Sequence, residues 1–118
     1  MSEIRLGAVE SKFADIIWNN EPLRPVELEK LAEAELNWKR TTTLTILKRL
    51  CERGIFQNKD RIITSLISRE EFYALQSEKF VNDTFEGSLP AFLTAFGSRK
   101  KLSDKEVEEL KKVIDSMR

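Results

Sequence analysis

The sequence has no histidine and one cysteine, Cys51, and these two gaps close most routes to catalysis. Without an imidazole there is no base that titrates near neutrality, no Cys-His pair and no zinc set of ordinary composition. A single thiol makes no internal disulfide, which suits a reducing compartment. No apolar run approaches the roughly 18 residues of a membrane span. Residues 1–10 lack the basic cluster and apolar core of a signal peptide, so a soluble, cytoplasmic protein without membrane insertion is expected. Internal repeats, low-complexity tracts and flexible Gly/Ser linkers are missing too. The 20 carboxylates are spread among 20 Lys and Arg along helical segments, where solvated faces explain them without chemistry. An enzyme is not expected, nor a metal or other cofactor.

What is present is a chain of 118 residues, enough for one compact domain with a helical extension that must find cover elsewhere. The net charge is zero, but it is unevenly placed. Across residues 37–61, seven basic side chains (Lys39, Arg40, Lys48, Arg49, Arg53, Lys59 and Arg61) face only Glu52 and Asp60, a local charge of +5. Residues 21–36 carry five glutamates against Arg24 and Lys30, a local charge of −3. A basic block inside a neutral protein is the footprint expected where a phosphate backbone is met.

Val9, Phe13, Ile16 and Ile17 fall on one face of a first helix over residues 8–19. Pro25 suits the first turn of a second helix, whose stripe is Leu28, Leu31 and Ala32. A third helix is expected over residues 41–53 with Leu44, Leu47, Leu50 and Cys51 inward, ended by a left-handed Gly54. Ile55-Phe56 and the β-branched residues 62–67 then flank the polar residues 57–61, which reads as a hairpin with a charged tip. Three short helices followed by a hairpin is the layout of a winged helix. The remainder reads as helices over residues 69–85 and 91–96, a polar joint at residues 97–101, and a last helix with a capping box at Ser103 and Glu106. The predicted fold is mainly α with a small β-hairpin wing (α+β). A winged helix-turn-helix DNA-binding head occupies residues 1–68 and a helical dimerisation region residues 69–118.

The third helix exposes Thr41, Thr42, Thr45, Lys48, Arg49 and Glu52 opposite its leucines. With Lys39 and Arg40 at its start, this is the candidate DNA-reading face, because the beginning of a recognition helix reaches bases and its first N–H groups favour phosphate. Arg49 is the candidate for a bidentate grip on guanine or phosphate. Thr41 or Thr42 is equally a candidate helix cap. Lys59 and Arg61 at the wing would meet adjacent backbone. Trp38 either lies beside the phosphate chain or fills the core. Five of the seven phenylalanines lie after position 71. Phe72, Phe80, Phe85, Leu89, Phe92, Leu93, Phe96, Val107, Leu110 and Ile114 are therefore the candidate dimerisation residues, a homodimer being the simplest cover for them.

Trp38, the spaced Thr41, Thr42, Thr43 and Thr45, then Leu47-Lys48-Arg49-Leu50 and Arg53 before Gly54 resemble the third-helix signature of the penicillinase and methicillin-resistance repressors, the BlaI/MecI/CopY family. Phe13-Ala14-Asp15-Ile16-Ile17-Trp18 is similar to the end of that family's first helix, and Phe85-Glu86-Gly87-Ser88-Leu89 to its tail. The resemblance implies a transcriptional repressor that binds palindromic operator DNA as a homodimer. It also implies release through a regulatory protease that cuts in the tail before a phenylalanine, here at Ala95 and Phe96. Two departures stand out: Ala95 occupies the place of the family's asparagine, and the wing is short, with no glycine at its tip. The paired-cysteine metal motif of the copper-responsive members has no counterpart. The competing functions are a protein-interaction module on the same fold, for which the acidic residues 21–36 speak, and a MarR-like or ArsR-like regulator.

Overall fold

The computed structural model describes residues 6–118, which form six helices and one two-stranded hairpin. They divide into two compact units between Ser77 and Glu78. The sequence had suggested a joint at residues 68/69.

The first unit holds α1 (Ala8–Asn20), α2 (Pro25–Leu36), α3 (Arg40–Glu52), β1 (Phe56–Lys59), β2 (Ile62–Ser65) and the beginning of α4 (Arg69–Phe85). Asn37, at φ 57°, ends α2 in the left-handed region, and only Asn37, Trp38 and Lys39 separate α2 from α3. That tight joint is the turn of a helix-turn-helix. The end of α3 is closed by a Schellman arrangement: Gly54 N–H donates to the Cys51 carbonyl at 3.0 Å and Ile55 N–H to the Leu50 carbonyl at 3.2 Å, with Gly54 at φ 81°. The chain is thereby turned directly into the wing.

β1 and β2 pair antiparallel with Lys59 opposite Ile62, so only Asp60 and Arg61 form the tip, both left-handed at φ 54° and 62°. The tip is a two-residue turn of the primed kind, not the five-residue polar loop the composition suggested. A third edge, unforeseen in the sequence, comes from Leu23, which exchanges backbone hydrogen bonds with Ile63 at 3.2 and 2.8 Å. Beside it, Glu21 accepts the Ser65 N–H at 2.7 Å and the Ser65 hydroxyl at 2.9 Å, fastening the turn after α1 to the wing.

The core of this unit collects Phe13, Ile16 and Ile17 from α1, Leu28 and Ala32 from α2, Leu47 and Leu50 from α3, then Ile55, Phe56, Ile63 and Phe72. Trp18 fills its edge, stacking obliquely on Phe56 and Phe72 while its indole N–H donates to the Ile67 carbonyl at 3.1 Å. Two expected positions differ. Val9 is 53% exposed, because the first turn of α1 directs Glu10 rather than Val9 toward α3. In α3 the fully buried polar residue is Thr43, not Leu44, since its hydroxyl donates to the Lys39 carbonyl one turn back and so enters the core satisfied.

The second unit contains the rest of α4, then α5 (Leu89–Arg99) and α6 (Asp104–Ser116). Helix α5 runs through Gly97 and Ser98, where a polar joint was expected. It is capped by Ser88, whose hydroxyl accepts the Ala91 N–H, while α6 carries the expected capping box of Ser103 and Glu106. Phe80, Phe85 and Phe92 meet edge to face with centroids 5.6–6.1 Å apart. No side chain of α5 or α6 is fully buried.

Two outcomes test this architecture. Phe72→Ala removes a residue only 1% exposed, and should cost about 3–5 kcal/mol in urea unfolding of the head. That loss should not depend on protein concentration. Arg61→Gly should raise stability by up to about 1 kcal/mol, because glycine accepts the left-handed tip without a Cβ clash.

Candidate nucleic-acid interface

Helix α3 packs its Thr43, Leu47 and Leu50 side inward against α2 and β1. This leaves Lys39, Arg40, Thr41, Thr42, Thr45, Lys48 and Arg49 all exposed. The N-cap residue Lys39 supplies no side-chain acceptor to the first turn. Neither Thr41 nor Thr42 caps the helix, and both stay exposed beside its uncapped first turn. An uncapped helix start with basic flanks is an anion-binding arrangement.

Two of the basic residues are held from neighbouring helices. Arg40 Nε lies 3.1 Å from Glu29 Oε1 of α2, and Arg49 Nη1 lies 3.5 Å from Glu10 Oε2 of α1. In each pair the glutamate is mostly buried and the arginine mostly exposed, with side-chain exposures of 19% against 75% and 21% against 51%. These carboxylates were not singled out in the sequence, where only their sign was visible. Much of the acidic stretch is accounted for in the same way: Glu21 holds Ser65, Glu27 accepts the Arg24 N–H at 2.8 Å, and Glu29 holds Arg40.

Lys59 and Arg61 are exposed on the wing. Arg24, the N-cap of α2 and absent from the expected set, lines a cleft of about 330 Å³ together with Arg61 and Asp60. Trp38 belongs to the core edge, its ring 5.0 Å from that of Phe13. The Cys51 thiol is half-buried, and burial first and Glu52 second push its pKa up, which favours the thiol over the nucleophilic thiolate. Among the described residues no cluster of His, Cys, Asp and Glu is placed to hold a metal, and no helix is long and apolar enough to cross a membrane.

The ten candidate dimerisation residues divide. Phe72 is enclosed in the first unit by Trp18 and Tyr73, so its area is already covered within one chain. Phe80, Leu89, Phe96 and Ile114 are 41–45% exposed, while Phe85, Phe92, Leu93, Val107 and Leu110 are half-buried. Leu102 and Val113, not anticipated, and Met117, which continues the apolar stripe of Val107, Leu110 and Ile114, are exposed as well. Phe92, Leu93, Phe96, Leu102, Leu110 and Val113 line a mainly apolar groove of about 370 Å³ between α5 and α6. The Ala95–Phe96 bond lies inside α5, where the Ala95 carbonyl also accepts the Ser98 hydroxyl at 2.7 Å.

Comparison with known proteins agrees with this geometry. Residues 6–116 match the penicillinase repressor family. The methicillin resistance regulatory protein MecI of Staphylococcus aureus (strain Mu50 / ATCC 700699) is 25% identical over 114 residues, covering 93% of each chain. The penicillinase repressor of Bacillus licheniformis is 22% identical over 115 residues, covering 94% of this chain and 90% of its own. The winged head, the exposed basic face of α3 and the match along almost the whole chain place this protein in the penicillinase repressor family of DNA-binding transcriptional repressors, which are not enzymes.

Proposed function

We propose that the protein represses transcription by binding an operator of two inverted half-sites as a homodimer, with one α3 in the major groove of each half-site. The observation that carries this is the uncapped, outward start of α3, where three threonine hydroxyls and the cations Lys39, Arg40, Lys48 and Arg49 share one exposed face. Thr41, Thr42 and Thr45 offer hydroxyls to phosphate and methyl groups to thymine, and Arg49 offers a planar fork to guanine. Lys59, Arg61 and Arg24 follow the backbone beside them. The short wing tip reaches phosphates rather than deep into a minor groove.

The homodimer rests on the second unit. Its helices bury no side chain completely, yet they carry the groove between α5 and α6 and the exposed Phe80, Leu89, Phe96, Val113, Ile114 and Met117. Two copies joined there would set two heads on one duplex, and the spacing of the half-sites would follow from the dimer axis. Release by a peptidase at Ala95–Phe96, which the family resemblance suggests, requires a turn of α5 to unwind first, because the bond is helical. The acidic residues 21–36 do not favour a protein-interaction module, since Glu21, Glu27 and Glu29 are engaged within the fold.

Mobility-shift titration against duplex from the protein's own upstream region, and against a scrambled duplex, tests the proposal. Selective binding by two protomers, with log K falling by about 0.9 per phosphate contact as log salt rises, is expected. Indifference to both duplexes at low salt would refute it. On the selected duplex, Arg49→Ala should cost about 1–3 kcal/mol, whereas Lys59→Ala should weaken all duplexes alike and flatten the salt slope by about one contact. Ile114→Asp, at a position 44% exposed, should sediment as a monomer at concentrations where the parent is a dimer, with the head's unfolding unchanged.

A further inference from the structure

We infer that Glu10 is a positioning residue that sets sequence selectivity through its hold on Arg49. The inference rests on the repressor reading above and adds a residue that lies outside α3 and the wing.

The two oxygens of Glu10 have separate duties. Oε1 accepts the Gly7 N–H at 3.3 Å and caps the start of α1. Among the described residues, Oε2 is buried, has no hydrogen-bond partner, and is ion-paired with Arg49 Nη1 at 3.5 Å. Arg49 is thus the counter-charge of an oxygen that water does not reach. The guanidinium has five donors in one plane, and a single-point contact through Nη1 leaves the rest of a half-exposed fork facing outward.

Two kinds of DNA contact then differ in cost. A phosphate that draws Arg49 off Glu10 leaves a buried carboxylate oxygen unpaired, which is unfavourable. A base edge met by Arg49 in its tethered position leaves the pair intact. Phosphates are present at every register of a duplex, but the matching base edge is present only at the right one. The Glu10–Arg49 pair therefore penalises non-specific binding and spares specific binding.

The test uses a duplex selected by the parent protein from a randomised pool, together with a scrambled duplex. Glu10→Gln keeps the side-chain length and an acceptor for the Gly7 N–H, a role Gln fills at this helix position as well as Glu, but removes the charge. Its affinity for the scrambled duplex should rise about fivefold at moderate salt, and the salt slope on that duplex should steepen by about 0.9 as Arg49 gains a phosphate. Affinity for the selected duplex should change less, so the selectivity ratio falls. In an Arg49→Ala background, Glu10→Gln should leave the ratio unmoved. An unchanged ratio in the parent background would overturn the inference, as would a parallel loss on both duplexes with a lower melting temperature, which would make Glu10 a helix cap alone. Failure of the parent to select any duplex would overturn the repressor reading itself, an outcome distinct from either of these.

Discussion

Everything the head does depends on the division of α3 into a side that must be buried and a side that must stay bare. Thr43, Leu47 and Leu50 bind the helix to α2 and β1, and the Schellman turn at Gly54 closes its far end. The near end has no side-chain cap. A helix whose stability is supplied by its packed face and its closed C-terminus can leave its N-terminus unsatisfied for an anion. The three-residue joint after α2 and the Leu23–Ile63 pairing then hold α3 and the wing in one rigid frame. In the proposed reading, affinity and scaffold come from opposite sides of the same thirteen residues.

Periodicity made most of this legible. The helices, the Gly54 stop, the hairpin and the exposed face of α3 follow from apolar spacing and from where glycine and proline stand. The misreadings have local physical causes. Thr43 was left out of the inward set, where Leu44 was placed, because a hydroxyl that bonds its own helix has no signature in hydropathy. Leu23 was missed because one residue of strand pairing has no period to detect. The wing tip lacks the Asn-Gly or Asp-Gly pair that announces a primed turn, and Arg61 adopts a positive φ without it. Gly97 was read as a break, yet a single glycine costs a helix only about 1 kcal/mol and α5 continues through it.

The tail was legible in composition but not in detail. Phenylalanines after position 71 raised the expectation of helices in need of cover, and α5 and α6 enclose no side chain fully. Phe72 shows the limit of that argument, because a residue count assigns it to the tail whereas its ring lies against Trp18 in the head core. The edge-to-face contacts among Phe80, Phe85 and Phe92 order the second unit without burying it. In the proposed homodimer, aromatic rings arranged in this way are apolar area that a second copy would cover.

Zero net charge bears on selectivity in the same sense as the ion pairs. A strongly basic repressor would bind any duplex, since phosphate attraction carries no sequence information. Here Arg40 and Arg49 of α3 are paired with mostly buried glutamates from α2 and α1, so part of the positive field is already spent within the protein. At physiological salt, screening over roughly 8 Å removes most of what remains at a distance. In the proposed reading, discrimination then falls to contacts made at close quarters, by side chains that ion pairs to α1 and α2 already engage.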